Sequence, residues 1–227
     1  MSKGLFITGT GTDVGKTYIT GLLLKKLNDA GFNSAYYKAA MSGNEKDENG
    51  DLIPGDATFV KNISGISQDV KAMCPYIYET AVSPHLASKI EGSPVELDVV
   101  EDNYKRLASQ YDYIITEGSG GIICPLRYDN KHYLLEDVIK LLDLPCLVIA
   151  DAGLGTINNV VLTIDYMKTR NIAVKGIIFN RFHPGDVMEE DNKKMCEAYT
   201  GVPVIAGVKN DSKEIELDGI FLASLFE

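Results

Sequence analysis

Apolar residues in this chain fall in short continuous runs rather than in alternation, and stretches with helical spacing separate the runs. The runs at 4–8, 34–38, 113–116, 146–150, 174–179 and 202–206 read as strands buried on both faces, the pattern of a parallel sheet. Helices are expected over 16–30, 83–91, 96–110, 134–143, 156–170 and 187–200; in the first, Leu22, Leu23 and Leu27 form an apolar stripe beside Lys26. Strand–helix alternation with no repeat or low-complexity tract predicts one α/β domain over residues 1–227, doubly wound around a mostly parallel sheet. The segment 44–55, NEKDENGDLIPG, is acidic and carries glycine and proline, and it is expected to be a mobile loop.

Composition narrows the function classes. The 227 residues are 45% hydrophobic and 24% charged, which supports a real core and excludes collagen, coiled coil and disorder. A net charge of −10 argues against nucleic acid or an anionic membrane as partner. The charge is uneven, however. Lys3, Lys16, Lys25, Lys26 and Lys38 against Asp13 and Asp29 give residues 1–44 a local +3, which leaves −13 for the remainder. Cys74, Cys124, Cys146 and Cys196 form no CxxC pair and have no ligand-like spacing with His85, His132 or His183, so buried reduced thiols are expected. No run approaches the ~20 apolar residues of a membrane span, and MSKGLFITGTG has no signal-peptide core. A soluble, cytoplasmic protein is expected.

The first strand, LFIT, leads straight into GTGTDVGKT (residues 9–17) and then a helix, the setting of a phosphate loop and of a P-loop NTPase-like fold. Inward backbone N–H groups and the helix dipole would wrap phosphates, Lys16 would reach the β- and γ-phosphates, and the Thr17 hydroxyl would ligate Mg2+. Asp13, Val14, Gly15 and Tyr18 complete this stretch as nucleotide-binding candidates. The loop departs from G-x-x-x-x-G-K-S/T at its first glycine, where Thr10 stands between Gly9 and Gly11.

Further motifs follow in order: YKAAMSG (37–43), GDA (55–57), SPHLA (83–87), EGSGG (117–121), LGTINN (154–159) and IIFNR (177–181). The ordered set resembles the dethiobiotin synthetase family over nearly the whole chain. The resemblance implies an ATP-dependent cyclo-ligase. Such an enzyme carboxylates one amine of 7,8-diaminopelargonic acid with CO2, phosphorylates the carbamate to a carbamic-phosphoric anhydride, and closes the ureido ring with the second amine, giving dethiobiotin, ADP and phosphate. It further implies Thr17, Asp56 and Glu117 as magnesium ligands and Lys38 with Lys16 as catalytic cations. Ser42 is implied to contact the carbamate, with Thr12 and Asp13 where diamine and phosphates meet. Gly118, Ser119 and Gly120 would line the nucleotide, Asn180 would pair with adenine beside Arg181, and Val208, Lys209 and Asn210 would flank the base. Free N–H groups around Gly155, Thr156 and Ile157 would take the substrate carboxylate. In the family that anchor comes from the second subunit, so a homodimer is implied.

Taken alone, the residues admit other readings: Asp56 as a helix cap, Glu117 as a surface carboxylate, Lys38 as a solvated strand end, Thr156 as an N-cap and Asn180 as a turn former. His85 reads as structural or site-lining. The chain departs from the family at Ala39, where a proline is usual after the lysine, and at Ala206–Lys209, where the family has G-x-I-P. A regulatory, partitioning-type ATPase acting through a protein partner is the alternative, and Gly11 counts against it by standing where those proteins carry a second lysine.

Overall fold

The computed structural model describes residues 2–226. In its first half, β1 (Lys3–Gly9), α1 (Lys16–Asp29), β2 (Ser34–Lys38), β3 (Ala40–Met41), α2 (Gly55–Ser64) and β4 (Tyr76–Ile77) precede α3 (Pro84–Ile90), α4 (Leu97–Ala108) and β5 (Tyr113–Glu117). There follow β6 (Pro125–Tyr128), β7 (His132–Leu134), α5 (Leu135–Leu142), β8 (Cys146–Asp151), α6 (Thr156–Thr169), β9 (Val174–Asn180), α7 (Val187–Thr200), β10 (Val204–Val208) and α8 (Gly219–Ser224).

The six apolar runs form one sheet in the order β10-β9-β8-β1-β5-β2, with every neighbouring pair parallel. Successive side chains enter opposite layers. Leu5, Ile7, Tyr36 and Ile115 pack with α1, α2 and α8 residues such as Leu22, Val60 and Leu222. Phe6, Tyr37, Ile114 and Val148 pack with Val100 of α4, Val138 of α5 and Val160 of α6. Burial on both faces is why these strands carry no polar alternation.

Four details depart from the sequence-based expectation. Strand β10 begins at Val204 rather than residue 202, because Pro203 has no N–H for the ladder. Helix α2 was hidden behind the acidic segment, since it buries only Ala57, Val60 and Ser64. Helix α8 has six residues, too few to show periodicity. The ribbons β3–β4 and β6–β7 are two to four residues per strand. The segment 44–55 folds back on itself through a Lys46–Leu52 bridge, and Asp47 Oδ1 accepts the backbone N–H groups of Asn49 and Asp51 at 2.9 Å each.

Candidate active site

All six strands point the same way, so their carboxyl ends share one rim, where ligands bind in open α/β sheets. The rim carries the loop after Gly9, then Lys38, Glu117, Asp151, Asn180 and Val208 as the last residues of their strands. Gly15 caps α1 in the left-handed conformation (φ 89°), with no side chain bonding the helix's first turn. Free amides and the dipole of that turn therefore remain for an anion. Lys16 Nζ donates to the Gly11 carbonyl at 2.8 Å, curling back over the loop. Burial lowers the Lys16 pKa, Glu117 works against that shift, and the Lys38 charge adds to it.

Beside the loop lies a cluster of opposite charges. Lys38 and Glu117 are register partners in the β2–β5 ladder, which puts their side chains one strand spacing apart. Lys38 Nζ donates to Glu117 Oε1 at 2.7 Å and to Asp56 Oδ2 at 2.6 Å. Thr17 Oγ1 donates to Glu117 Oε1 at 2.8 Å and lies 3.4 Å from Asp56 Oδ1. Lys38 and Glu117 are 5% and 1% exposed, so this is a desolvated pair. Burial opposes the charge on Lys38, but Glu117 and Asp56 outweigh it and lift the ammonium's pKa above the ordinary lysine value. For Asp56, burial is likewise outweighed by Lys38, which holds the carboxyl below its usual range.

Asp56 is placed by the start of α2. The Gly55 N–H donates to Asn44 Oδ1 at 3.0 Å, and Asn44 Nδ2 donates to the carbonyls of Met41 and Tyr78 at 3.1 and 2.8 Å. One buried amide thus ties together three chain segments around the site.

These groups face a cavity of about 700 Å3. Of the residues expected from sequence, Thr12, Asp13, Gly15, Lys16, Thr17 and Tyr18 line it from the loop and α1. Lys38, Ser42, Asp56, Glu117, Ser119 and Gly120 complete it from the other strands and loops. Met41, Gly55 and Phe59 also line it and were not named as site residues; Met41 and Gly55 fall inside the motifs YKAAMSG and GDA, whereas Phe59 lies on a helix that the sequence pattern did not show.

The remaining expected residues lie elsewhere. Gly118 is packed in the interior, where a Cβ would come within 2.6 Å of Leu135. Asn180 is not on the wall: its Nδ2 donates to the Val14 carbonyl at 3.1 Å and fills the space beside Gly15. Arg181 donates to the Asp13 carbonyl at 3.0 Å and pairs with Asp151. Arg181 and Asp13 both hold positive φ, 56° and 61°. These two side chains hold the phosphate loop, and the Asn180 N–H expected to face the base faces Val14. Val208 is buried, while Lys209 and Asn210 are exposed at the end of β10. They adjoin an apolar depression of about 490 Å3 formed by Tyr18, Leu22, Ile63 and the 211–213 turn, where the Tyr18 hydroxyl bonds the Ser212 carbonyl.

Gly155, Thr156 and Ile157 are not on the wall of the cavity. Gly155 is the left-handed N-cap of α6 (φ 90°), so Thr156 is the first helical residue and not the cap; its buried Oγ1 has no hydrogen-bond partner. His85 Nδ1 lies 3.0 Å from Ser83 Oγ, away from the cavity.

Among the described residues no group of three or more His, Cys, Asp and Glu side chains is arranged around a metal. Thr17, Asp56 and Glu117 offer one hydroxyl and two carboxylates, an all-oxygen set that suits Mg2+ sharing its sphere with phosphate and water. Lys38, already bridging both carboxylates, marks their potential as one that attracts a cation.

Comparison with known proteins identifies the family. The family described as an AAA domain matches residues 3–215. Solved structures with a similar course include the MinC:MinD cell division complex of Aquifex aeolicus, at TM-score 0.59 and 13% identity over 93% of this chain and 83% of that one. A ParA family ATPase from Chlorobium tepidum has TM-score 0.55 and 15% identity over 92% and 84%. At such identities they establish the fold alone. The ATP-dependent dethiobiotin synthetase of Brachyspira hyodysenteriae is 50% identical over 222 residues, 95% of this chain and 98% of its own. That of Clostridium novyi is 46% identical over 225 residues, 97% and 94% of the two chains. Sharing about half its residues with such relatives along nearly its entire length, the chain belongs to the family of ATP-dependent dethiobiotin synthetases.

Proposed function

We propose that the protein, acting as one domain, closes the ureido ring of dethiobiotin from 7,8-diaminopelargonic acid, CO2 and ATP. The observation that carries the reading is the convergence, at the mouth of a phosphate loop, of Lys16 and Lys38 with the oxygens of Thr17, Asp56 and Glu117. Loop amides and Lys16 hold the β- and γ-phosphates. Thr17, Asp56 and Glu117 would hold Mg2+, which when bound would offset the negative charge that develops on those phosphates. Thr12, Asp13 and Ser42 orient the diamine, with the Asp13 carboxylate taking an ammonium.

One amine nitrogen bonds to the carbon of CO2 and loses a proton. The carbamate oxygen then bonds to the γ-phosphorus as the bond to ADP breaks. The second amine attacks the carbamoyl carbon, the carbon–oxygen bond to phosphate breaks, the amine gives up a proton, and the ring closes. Lys38, on the cavity wall and fixed as an ammonium, balances negative charge on the carbamate and the transferring phosphoryl, a preorganised contribution of the kind worth about 10²–10³ in rate.

Ser119, Gly120 and Tyr18 line the nucleotide's path, and Val208, Lys209 and Asn210 flank the base at the apolar depression. Gly155, Thr156 and Ile157, off the cavity and beside the 91% exposed Leu154, serve the diamine tail bound to a second copy, so the working form is a homodimer. No helix among the described residues is long and apolar enough to cross a membrane, and four buried free thiols fit a reducing, cytoplasmic setting.

The test incubates the protein with diamine, bicarbonate, Mg2+ and ATP, measuring ADP and ring-closed product. ADP release that requires the diamine supports the reading; release at the same rate without it refutes it.

A further inference from the structure

Glu117 is held from both sides. Its Oε1 accepts from Thr17 and Lys38, the contacts that face the cavity. Its Oε2 accepts the Tyr36 hydroxyl at 3.0 Å. Tyr36 is 0% exposed, sits in β2 two residues before Lys38, and packs among Leu5, Ile7 and Ile115 rather than lining the cavity. We infer that Tyr36 is a positioning residue for the metal site: by occupying Oε2 it fixes the plane of the Glu117 carboxylate and leaves Oε1 alone as the working oxygen.

The inference rests on the reading of Thr17, Asp56 and Glu117 as the Mg2+ ligands. The last torsion of a glutamate is broad and nearly two-fold, so an unheld carboxylate presents either oxygen or both. Mg2+ demands near-octahedral geometry, for which one oxygen per carboxylate is the fitting donor. The apolar neighbours of Tyr36 offer Oε2 no other donor, and a buried acceptor left empty is costly. Removing the phenol therefore lets the carboxylate turn away from its working orientation. The competing account is that Tyr36 fills the core and its hydroxyl merely needs an acceptor.

The next residue supplies the control. Tyr37 is equally buried, faces the opposite layer, and donates to the Val100 carbonyl at 2.7 Å. In the full chain, Tyr36→Phe and Tyr37→Phe each lose one buried hydroxyl, but only the first loses a contact to Glu117. Mn2+ binding in the presence of ADP is followed by electron paramagnetic resonance, with ADP affinity in EDTA and thermal unfolding measured alongside. Tyr36→Phe is expected to weaken Mn2+ about tenfold, the low end for losing a partner of a metal ligand, with metal-free ADP affinity unchanged. Tyr37→Phe is expected to lose stability with Mn2+ affinity intact. Equal Mn2+ affinities in the two variants overturn the inference, as does a loss of metal-free ADP binding in Tyr36→Phe.

A readout that needs no variant is the infrared difference spectrum of the wild type on adding Mg2+ and ADP, with isotope-labelled glutamate. A one-oxygen carboxylate pattern is expected, and a two-oxygen pattern overturns the inference. A wild type whose ADP release ignores the diamine removes the proposed function, yet the Mn2+ comparison still decides the role of Tyr36.

Discussion

Replacing Lys38 with methionine keeps most of the side chain's bulk and removes only its charge. Glu117, 1% exposed, and Asp56 then face each other without the ammonium that lies 2.7 and 2.6 Å from their oxygens. Removing one partner of a buried pair typically costs ~3–5 kcal/mol. The Asp56 side chain is 41% exposed and therefore partly screened, so the low end applies, about 3 kcal/mol. For a chain of this size that lowers the unfolding midpoint by roughly 6–12 °C in EDTA.

Two further signs follow from the same geometry. Divalent metal supplies the missing positive charge, so Mg2+ should raise the midpoint of Lys38→Met more than that of the wild type, while turnover stays reduced by more than ~10²-fold. Acid should narrow the gap. In the wild type the depressed Asp56 pKa contributes stability that is present above its ordinary value of 3.8 and lost as pH falls through the folded value. In the variant, protonation relieves repulsion instead. Scanning calorimetry across pH with and without Mg2+, together with the ADP assay, checks all of this. A Lys38→Met protein that melts with the wild type in EDTA, or that keeps full turnover, refutes the argument.

Other consequences are as direct. Because burial lowers the Lys16 pKa in the free protein, ATP affinity should begin to fall with rising pH below the ordinary lysine value of 10.5; isothermal titration that finds it flat to that pH contradicts the burial argument. Gly15→Ala should abolish measurable ATP binding and cost roughly 1–3 kcal/mol of stability, since φ is 89° and a Cβ would lie 2.1 Å from Asn180 Nδ2. Unchanged binding would mean that the loop relaxes freely. Leu154→Glu, at a side chain 91% exposed, should leave the melting point alone, shift light scattering toward monomer and raise the KM for the diamine; a dimer that persists with unchanged KM removes the proposed interface.

What the sequence revealed, and what it withheld, follows from range. The strands were legible because burial on both faces leaves continuous apolar runs, and Lys16 and Thr17 because the phosphate loop is a local motif. Lys38 and Glu117 were visible as strand ends, but their pairing depends on a ladder between β2 and β5 that no local pattern encodes. Asn180 and Arg181 reach back 166 and 168 residues to hold Val14 and Asp13, so only the folded chain could assign those contacts. The cap reading that Thr156 admits when taken alone falls to Gly155, whose left-handed conformation takes that place one residue earlier. Asn44 and Tyr36 passed unnoticed inside an acidic loop and an apolar run, where a single amide or hydroxyl alters neither composition nor periodicity.

The β2–β5 register has a bearing on folding as well as on chemistry. Side chains alternate between the two layers along β2, so a slip of one residue would turn Lys38 into the layer beneath Tyr37 and Val100, where neither carboxylate could reach it. Such a slip strands an ammonium in hydrocarbon and leaves Glu117 buried without a counterion, each a heavy penalty. The two side chains proposed to serve the reaction thus also tell the sheet where to stop sliding. Neutral replacements at these positions would then loosen the proofreading of strand alignment, even in a protein that still reaches the right fold.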